Sequence, residues 1–519
     1  MIRWEETSCG CEGKRGIDVS ARYLLALDQG TTSSRALVFD RDLNRVGSGQ
    51  VALAQQYPQP GWVEQDPEEI WQSQMTALSH ALESARIGIK DIEAIGIANQ
   101  RETTLLWDRA TGEPVAPAIV WQCRRTANRC IQLVQDGLQD WIQERTGLVM
   151  DAYFSATKIA WVLDSRPGLR HRAERGEICF GTVDTWLIYR LSGRRIHVTD
   201  VTNASRTMLY NIHRGTWDEE LLALFQIPPA MLPQVVPSAS LAAVTDPAVL
   251  GATIPITGVA GDQQAALFGQ GCVQPGMVKS TYGTGAFILM QMGAQPVLSP
   301  HGLITSMAPG IPGNPPTYVL EGSIFAAGAV VDWMQDSMEW ILSPEASATL
   351  AESVSDTQGV YLVPAFGGLG APYWDGFARG TIVGITRGAH KAHLVRAGLE
   401  SIAYQTRDVL NVMVSDSGYP LKELRVDGGV SRNDFLMQFQ ADVLAGTIVR
   451  PSMEETTARG AAALAGIGCG LYSGPNAVPT DEGAVTRFEP HRAGFTMDHL
   501  YRGWQRAVSR AQHWEEPET

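Results

Sequence analysis

A polar segment near the start of the chain, DQGTTSSR at residues 28–35, combines residue types that bind phosphorylated ligands. Its glycine lets the backbone turn tightly and approach a ligand, and the neighbouring amides and hydroxyls can donate to phosphate oxygens. Asp28 could hold Mg²⁺, usually through water, and Arg35 could supply positive charge. The alternative is a polar hairpin turn without a ligand.

Two further glycine-containing segments have the composition of nucleotide-binding turns. The YGTG segment at 282–285 repeats the Gly-Thr turn of residues 30–31, so the two together could grip a nucleotide tail. The strand-like LRVD segment ends in Gly428 and Gly429, and two glycines let a flat adenine lie against backbone. Asn433 could hydrogen-bond the base. The alternative is a strand–helix connection that only needs positive φ.

Two polar pairs follow apolar strands and could handle a hydroxyl substrate. Asp262 and Gln263 lie among small residues, where an aspartate can act as a general base; Asp also favours a helix N-cap, and the two interpretations are compatible. Arg101 and Glu102 are adjacent opposite charges, which taken alone favour a solvated surface pair.

The elements that must position these residues alternate between strands and helices. Residues 23–40 and 277–290 each form a predicted strand–Gly-Thr–strand hairpin, and the hairpins lie about half a chain length apart. Duplication into two lobes and chance recurrence both explain the repeat. Short strands at 92–97 and 424–427 alternate with helical patterns, which favours α/β architecture.

Capping residues, prolines and glycines predict where several helices begin and end. Asp66 is a predicted N-cap, with Pro67 at the first helical position. Apolar residues recur at helical spacing over 394–413, and Gly418 is expected to end that helix. The helix after Asn433 is expected to end at Gly446. Three Pro-rich segments are predicted as loops: 58–61, 228–237 and 312–316.

Composition limits the classes of function. Of 519 residues, 44% are hydrophobic and 18% charged, as in folded soluble proteins. The net charge of −14 disfavours a nucleic-acid binder, because phosphate neutralisation needs a basic face. The sequence has no run near the roughly 18 apolar residues of a membrane helix and no secretory signal, so we expect no membrane insertion and a cytoplasmic location. Cys9 and Cys11 lack the spacing and second ligand pair of a zinc site.

The sequence lacks a P-loop and a complete dinucleotide fingerprint. Its three glycine-containing segments, in this order, instead resemble the nucleotide-binding elements of the actin, hexokinase and heat-shock chaperone ATPase superfamily. YFSATKIAW at 153–161 and GTIVGITRGAHKAHLVRAGLE at 380–400 resemble the two signatures of the FGGY carbohydrate kinases, although Gly398 departs from the second. The resemblance is to the branch that phosphorylates glycerol and covers about residues 23 to 512. Further matching segments are ALDQGTTSSRA (26–36), NQRETT (99–104), IVWQCRRTA (119–127), GTVDTWL (181–187), AGDQQAALFGQ (260–270), TYGTG (281–285), GLGAPYW (368–374) and SIAYQTRDVL (401–410).

The resemblance implies a role for each candidate residue. Asp262 would take the proton from the attacking hydroxyl, and Asp28 would face it across a cleft, the two holding Mg²⁺. Arg101 and Glu102 would bind the polyol hydroxyls. Tyr153 and Gln263 would complete those hydrogen bonds, Trp121 and Phe287 would cover the C–H faces, and ATP would contact Thr31, Thr32, Ser33, Arg35, Gly283, Thr284, Gly328, Asp332, Gly429 and Asn433.

The resemblance also implies an α/β fold with two ribonuclease-H-like domains flanking a cleft. We expect an extension at 1–22, either a disordered tail or the result of a wrongly chosen start. A domain at 23–270 would bind the polyol and carry the catalytic base, and a domain at 271–519 would bind the nucleotide. The implied reaction is ATP-dependent phosphorylation of glycerol to sn-glycerol 3-phosphate with Mg²⁺, in a homodimer or homotetramer.

Two departures from the family pattern bear on nucleotide preference and regulation. Asp332 stands where a glutamine near the nucleotide is common, which leaves the preferred nucleotide open. The segment 245–256 lacks the Gly-rich, Arg-bearing loop of some relatives, with Thr253 near the expected arginine, and also lacks a phosphorylatable histidine. We therefore predict no inhibition by fructose 1,6-bisphosphate.

Two other functions remain as alternatives at this point. A related kinase could act on a tetritol, a pentulose or dihydroxyacetone, but Arg101–Glu102, Trp121 and Phe287 favour glycerol because bulky walls shorten a pocket. An actin-like scaffold or pseudokinase could bind nucleotide without transfer, but it would not need Asp28 and Asp262.

Overall fold

A six-stranded sheet organises the N-terminal half of this computed structural model, which describes residues 23–480, 485–492 and 494–515. The predicted extension at 1–22, including Cys9 and Cys11, lies outside the described residues. The elements of this half are β1 (Tyr23–Gln29), β2 (Ser33–Phe39), β3 (Arg45–Ala52), β4 (Glu64–Gln65), α1 (Pro67–Ala85), β5 (Ile92–Asn99), β6 (Leu105–Asp108), β7 (Ala118–Ile119), α2 (Ala127–Gln135), α3 (Gln139–Thr146), α4 (Ser155–Ser165), α5 (Leu169–Glu174), β8 (Ile178–Gly181), α6 (Val183–Leu191), β9 (Val198–Asp200), α7 (Val201–Ala204), β10 (Tyr210–Asn211), β11 (Thr216–Trp217), α8 (Glu219–Phe225), β12 (Gln234–Val236), β13 (Ala243–Val244), α9 (Pro247–Leu250), β14 (Pro255–Gly261) and α10 (Asp262–Gly269).

A seven-stranded sheet organises the C-terminal half. Its elements are β15 (Val278–Tyr282), β16 (Ala286–Gly293), β17 (Ile304–Met307), β18 (Tyr318–Ile324), α11 (Gly328–Asp332), α12 (Pro344–Glu352), β19 (Tyr361–Val363), β20 (Thr381–Val383), α13 (Lys391–Ser417), β21 (Glu423–Asp427), α14 (Asp434–Leu444), β22 (Thr447–Pro451), α15 (Thr456–Gly468), β23 (Val485–Phe488) and α16 (Gly494–Ala511).

The two sheets share a common order of six strands, and the second adds β17 as an outer edge strand beside β18. The first runs β13-β14-β5-β1-β2-β3, and the second runs β23-β22-β21-β15-β16-β18-β17. In each, an antiparallel meander joins two parallel strands, and an antiparallel strand lies at the edge beyond them. The shared order and directions support duplication over chance recurrence and confirm the two-domain α/β fold.

Local signals produce the helices expected from them. The Asp66 carboxylate accepts from the amide of Glu68, and Pro67 opens α1, as predicted. Gly418 ends α13 with φ of 71°, a left-handed conformation in which glycine has no Cβ penalty. The left-handed residue after α14 is Ala445 rather than the predicted Gly446. The Pro-rich segment 228–237 also departs from prediction, because β12 within it pairs with β9.

Helix α15 lies across the predicted domain boundary. It belongs to the 271–519 range, yet it packs on β1, β5 and β14 of the first sheet and on α10. Backbones approach closely there: a Cβ on Gly460 would lie 1.8 Å from the carbonyl oxygen of Ala265, and a Cβ on Gly96 2.1 Å from that of Ala461. A boundary at residue 270 thus lies between the two sheets but assigns α15 to the domain of the second sheet, although α15 packs on the first. In the described part of the chain, none of the helices has the length and hydrophobicity needed to cross a membrane.

Candidate active site

The carboxyl ends of parallel strands bring the candidate residues together. Strands β1, β5 and β14 end in register, with Gln29 beside Asn99 and Asn99 beside Gly261. The first Gly-Thr turn follows β1, the Arg101–Glu102 pair follows β5, and Asp262 follows β14. In the second sheet Thr281 of β15 lies beside Asp427 of β21, so the turns after both strands meet as well. Ligands of open α/β sheets bind at such edges.

Arg101 and Glu102 belong to a closed ring of four buried charges, which we call the charge ring. Arg101 donates from both terminal nitrogens to Glu321 of β18, at 2.5 and 3.0 Å. Arg206 donates from Nε to Glu102 and from Nη2 to Glu321, the latter at 3.2 Å. Arg101 Nε lies 4.0 Å from Glu102 Oε1 and closes the ring. The solvated surface pair is therefore wrong, because all four side chains are at most 2% exposed.

Opposing effects set the ionisation of the ring. Burial acts to raise the pKa of Glu321, but the charges of Arg101 and Arg206 outweigh it and lower that pKa to about 2. Burial raises the pKa of Glu102, against the charges of Arg206 and Arg101. Glu321 is thus a fixed anion, whereas Glu102 depends on its arginine neighbours to stay charged.

Asp262 lies beside the ring. Its Oδ1 is 3.3 Å from Arg101 Nε and accepts from the amide of Gln263 at 2.7 Å. It is the first residue of α10, and the N-cap is Gly261, so the N-cap interpretation is wrong. Among the predicted catalytic and polyol residues it keeps the most exposed charge, with 28% of its side chain accessible. That exposure leaves the carboxylate open to a hydroxyl substrate.

Gln263 is held in one orientation by two charged neighbours. Buried Lys279 of β15 donates to its Oε1 at 2.5 Å, and its Nε2 donates to Asp262 at 3.2 Å. An ammonium can only donate, so the side-chain oxygen must face Lys279. Burial lowers the pKa of Lys279 to about 8.

Three half-buried aromatic side chains form a wall beside these polar groups. The ring of Trp121 lies edge-on to Tyr153 at 5.4 Å and to Phe287 at 6.2 Å between centroids. Trp121 donates from its indole to the Thr31 hydroxyl at 2.9 Å, which joins the wall to the first Gly-Thr turn. Arg101 lies over Phe287 at 5.8 Å. The aromatic rings thus lie beside the polar side chains of Arg101 and Thr31.

Asp28 and Arg35 lie on paired positions of β1 and β2. The pKa of the Asp28 carboxyl is raised to about 7, mainly by burial; Arg35 acts to lower it, and the charges of Asp262 and Glu455 add to the rise. Arg35 forms a 3.1 Å ion pair with Glu455, in the loop before α15. Residues 31–35 thus adjoin the aromatic wall at one end and this ion pair at the other.

Asp28 and Asp262 could hold a divalent cation only if a bound phosphate supplied further oxygen ligands. The described residues contain no group of three or more histidines, cysteines, aspartates or glutamates arranged to hold a metal. Asp28 and Asp262 are two interacting carboxylates, and Mg²⁺ is commonly held by one or two carboxylates plus substrate phosphates.

Backbone rather than side chains builds the second Gly-Thr turn. The carbonyl of Gly283 accepts from Gly328, and that of Thr284 accepts from Ala327 and Ala329. A Cβ on Gly328 would lie 2.6 Å from the Gly283 oxygen, so glycine permits this contact. Asp332, at the end of α11, is exposed, and burial together with Asp336 raises its pKa.

The Gly428–Gly429 turn combines strain and open space. Gly428 has φ of 87°, and a Cβ there would lie 2.2 Å from the Tyr282 oxygen, whereas a Cβ on Gly429 would meet no atom within 4 Å. Asn433 caps α14 through the amide of Leu436 and donates to Ser347 at 3.1 Å. The structural alternative is therefore present here: the turn needs positive φ, and Asn433 is an N-cap.

Three buried residues of this region were missed in the sequence: Arg206, Glu321 and Lys279. Each is a charge among apolar or small neighbours, in NASRTML, YVLEGSI and MVKSTY. A lone charge inside a predicted buried segment needs a partner, so the sequence alone indicates that each of these residues is paired. The sequence does not identify the partner, because Glu321 lies more than a hundred residues from Arg101 and Arg206.

Comparison with known proteins agrees with this geometry. The model of the FGGY family of carbohydrate kinases, N-terminal domain, matches residues 23–269, and that of the C-terminal domain matches 278–469. The chain is 56% identical to a glycerol kinase of Carboxydothermus hydrogenoformans over 96% of this chain and 99% of that one. It is 55% identical to glycerol kinase 2 of Thermotoga maritima over 95% and 99%.

A solved structure, Plasmodium falciparum glycerol kinase with ADP, superimposes with a TM-score of 0.88 at 35% identity, covering 94% of this chain and 98% of that one. Family models across both lobes, full-length relatives and a shared fold all point the same way. The chain belongs to the FGGY family of carbohydrate kinases.

Proposed function

We propose that this enzyme transfers the γ-phosphoryl group of ATP to glycerol, giving sn-glycerol 3-phosphate and ADP as the first step of glycerol use. The observation that carries the proposal is the buried charge pair Arg101–Glu102, beside the accessible Asp262 carboxylate and the aromatic wall. Relatives that bear the glycerol kinase name at 55–56% identity support the same substrate.

A small triol requires recognition through its hydroxyls. Arg101 donates and Glu102 accepts, while Tyr153 and Gln263 complete the set. Trp121 and Phe287 cover the C–H faces and shorten the pocket. Because the site groups are desolvated, an analogue that leaves one of them unpaired loses affinity sharply.

Asp262 is the proposed base. Its carboxylate accepts the proton of the terminal hydroxyl as that oxygen attacks the γ-phosphorus in line, and ADP leaves. Phosphoryl transfer passes through a loose transition state, so proton removal is late and Asp262 also orients the hydroxyl. Arg101, 3.3 Å away, helps to hold the carboxylate in place.

The nucleotide lies against the two Gly-Thr turns and the Gly428–Gly429 turn. Asp28 and Asp262 are the residues proposed to hold Mg²⁺, which would neutralise charge on the phosphates. Arg35 is proposed to contact phosphate, which must compete with Glu455 for that guanidinium. Closure of the lobes excludes water, which would otherwise accept the phosphoryl group.

A coupled ADP-release assay with a substrate panel tests the proposal. The panel contains glycerol, a tetritol, a pentulose and dihydroxyacetone, and the product is identified as sn-glycerol 3-phosphate by stereospecific enzymatic analysis. We expect the highest kcat/KM with glycerol. A higher kcat/KM with another polyol would reassign the substrate, and nucleotide binding without any transfer would favour a scaffold.

Location and assembly are further proposals. The need for ATP and the five unpaired cysteines of the described residues support the cytoplasm. A homodimer or homotetramer is proposed from the family resemblance, and light scattering of the purified enzyme measures it.

A further inference from the structure

Two members of the charge ring, Arg206 and Glu321, come from outside the segments that suggested the polyol site. Arg206 follows α7, and Glu321 lies on β18 of the second sheet. We propose that Arg206 and Glu321 are positioning residues that hold Glu102 and Arg101 in the geometry needed to bind the polyol. This inference rests on the proposed function and deepens it.

Arg206 is fixed on three sides. Nε donates to Glu102 Oε1, Nη2 donates to Glu321, and the guanidinium lies over the rings of Tyr153 and Phe154 at 5.3 Å each. Its side chain has no exposed surface. With Oε1 held by Arg206, Glu102 keeps its second oxygen for a substrate hydroxyl. Arg206 therefore determines where that acceptor points.

Glu321 fixes Arg101 from across the cleft. Both of its oxygens accept from Arg101, in the bidentate geometry that sets the plane of a guanidinium. That plane directs Arg101 Nε toward Asp262, at 3.3 Å. The second sheet thereby supplies the residue that orients a donor of the first, and the polyol site is complete only when both lobes contribute.

Charge makes the two positioning roles distinguishable. Glu102 is faced by Arg206 and Arg101, which lower its pKa, and by Glu321 and burial, which raise it. Loss of the Arg206 charge moves the Glu102 pKa upward, whereas loss of the Glu321 charge moves it downward. A protonated Glu102 is a poorer acceptor for a hydroxyl. The remaining charged or titratable groups packed around the ring are Tyr153, Lys158, Asp262 and Lys279.

The experiment measures kcat/KM for glycerol against pH in Arg206→Met and Glu321→Gln. We expect Arg206→Met to lower kcat/KM about 100-fold at neutral pH, mainly through KM, and to move the acid limb of the profile to higher pH by about one unit. Glu321→Gln should lower kcat/KM about tenfold and move the limb to lower pH. The KM for ATP should change less than about twofold in both, because neither residue belongs to the proposed nucleotide contacts.

Arg396→Met is the matched control. Arg396 on α13 also forms a buried ion pair, at 2.8 Å to Glu400, whose pKa burial raises. Like Arg206, it has one buried terminal nitrogen that lacks an acceptor among the described residues. This variant should lose thermal stability but keep the wild-type KM for glycerol and the wild-type pH profile.

Several outcomes would overturn the proposal. Arg206→Met and Glu321→Gln could behave like Arg396→Met, or their acid limbs could move in the same direction. Arg206→Lys should return the limb toward wild type, and failure to do so also contradicts the role. If Arg206→Met does not fold, Glu321→Gln and Arg206→Lys decide alone. If the wild-type enzyme prefers another polyol, the proposed substrate is wrong, and the same comparison on that polyol still tests the positioning roles.

Discussion

The proposed polyol end and the proposed nucleotide end of the cleft differ in the kind of contact that builds them. At the polyol end, four charged side chains are buried and paired with one another. At the nucleotide end, the contacts that shape the site are backbone hydrogen bonds around Gly283, Thr284 and Gly328, together with the Gly428–Gly429 turn. Side-chain ion pairs therefore shape the polyol end, and backbone turns shape the nucleotide end.

This difference predicts how each proposed ligand would be selected. A buried polar side chain that loses its partner costs about 1–3 kcal/mol. Small changes in the substrate or in a residue at the polyol end should therefore lower binding affinity strongly. Backbone amides offer the same donors whatever the side chain, so the nucleotide end should respond mainly to added bulk. The net charge of −14 fits this arrangement, because amides, hydroxyls and a few placed arginines hold an anion locally.

The largest effect should come from Asp262→Asn, which removes the proposed base and keeps the shape of the side chain. We expect kcat to fall about 10³-fold, because positioned acid–base groups contribute 10²–10⁴-fold. Calorimetry should find glycerol binding retained. Turnover near that of the wild-type enzyme would end the assignment of Asp262.

Glu102→Gln should weaken glycerol binding by about 100-fold, because it leaves Arg206 Nε without a carboxylate partner and weakens the acceptor for the polyol. The KM for ATP should stay near the wild-type value, and steady-state kinetics with each substrate varied measures both. An equal rise in the two KM values would mean that the two ends of the cleft are not independent.

Gly429→Ala adds one methyl group at the nucleotide end and tests whether a nucleotide lies against this backbone. A Cβ at Gly429 meets no protein atom within 4 Å, so thermal stability should not change. If the nucleotide lies against this backbone, KM for ATP should rise about tenfold. Gly428→Ala is the contrasting variant, and we expect it to unfold more readily because of its positive φ and the clash with Tyr282. An unchanged KM for ATP in Gly429→Ala would remove Gly429 from the site.

A smaller effect separates the two roles of Asn433. Asn433→Ser keeps an N-cap oxygen for α14, whereas Asn433→Ala removes it and should cost about 1 kcal/mol in the free energy of unfolding. If the amide also contacts the base, both variants should raise KM for ATP a few-fold. A normal KM for ATP in the stable serine variant would leave Asn433 as a cap alone.

The smallest expected effect is none at all. Fructose 1,6-bisphosphate should not inhibit, because Thr253 stands near the position of the arginine that would bind it. Thr253 is exposed, before β14 and away from the ends of the strands that form the cleft. Clear inhibition of the purified enzyme at millimolar concentration would contradict this.

Local patterns were the most predictable part of the molecule. The Gly-Thr hairpins, the Asp66–Pro67 helix start and the end of α13 at Gly418 depend on a few neighbouring residues, and each was predicted correctly. The local errors are shifts of one residue, at Ala445 after α14 and at Gly261 before α10, whereas the larger errors concern tertiary context. Strand β12 pairs with β9, which is distant in sequence, and the buried Arg101–Glu102 pair is neutralised by the distant residues Arg206 and Glu321.

The sequence by itself determined the alternation of strands and helices, the repeated turns and the residue types at the strand ends, since these follow from short-range sterics and hydrophobic pattern. The tertiary structure alone decided which charges meet. Glu321 and Arg206 reach the Arg101–Glu102 pair from distant parts of the chain, and a buried ion pair exists only where the fold removes water from both partners at once. The proposed polyol pocket therefore depends on residues of both lobes.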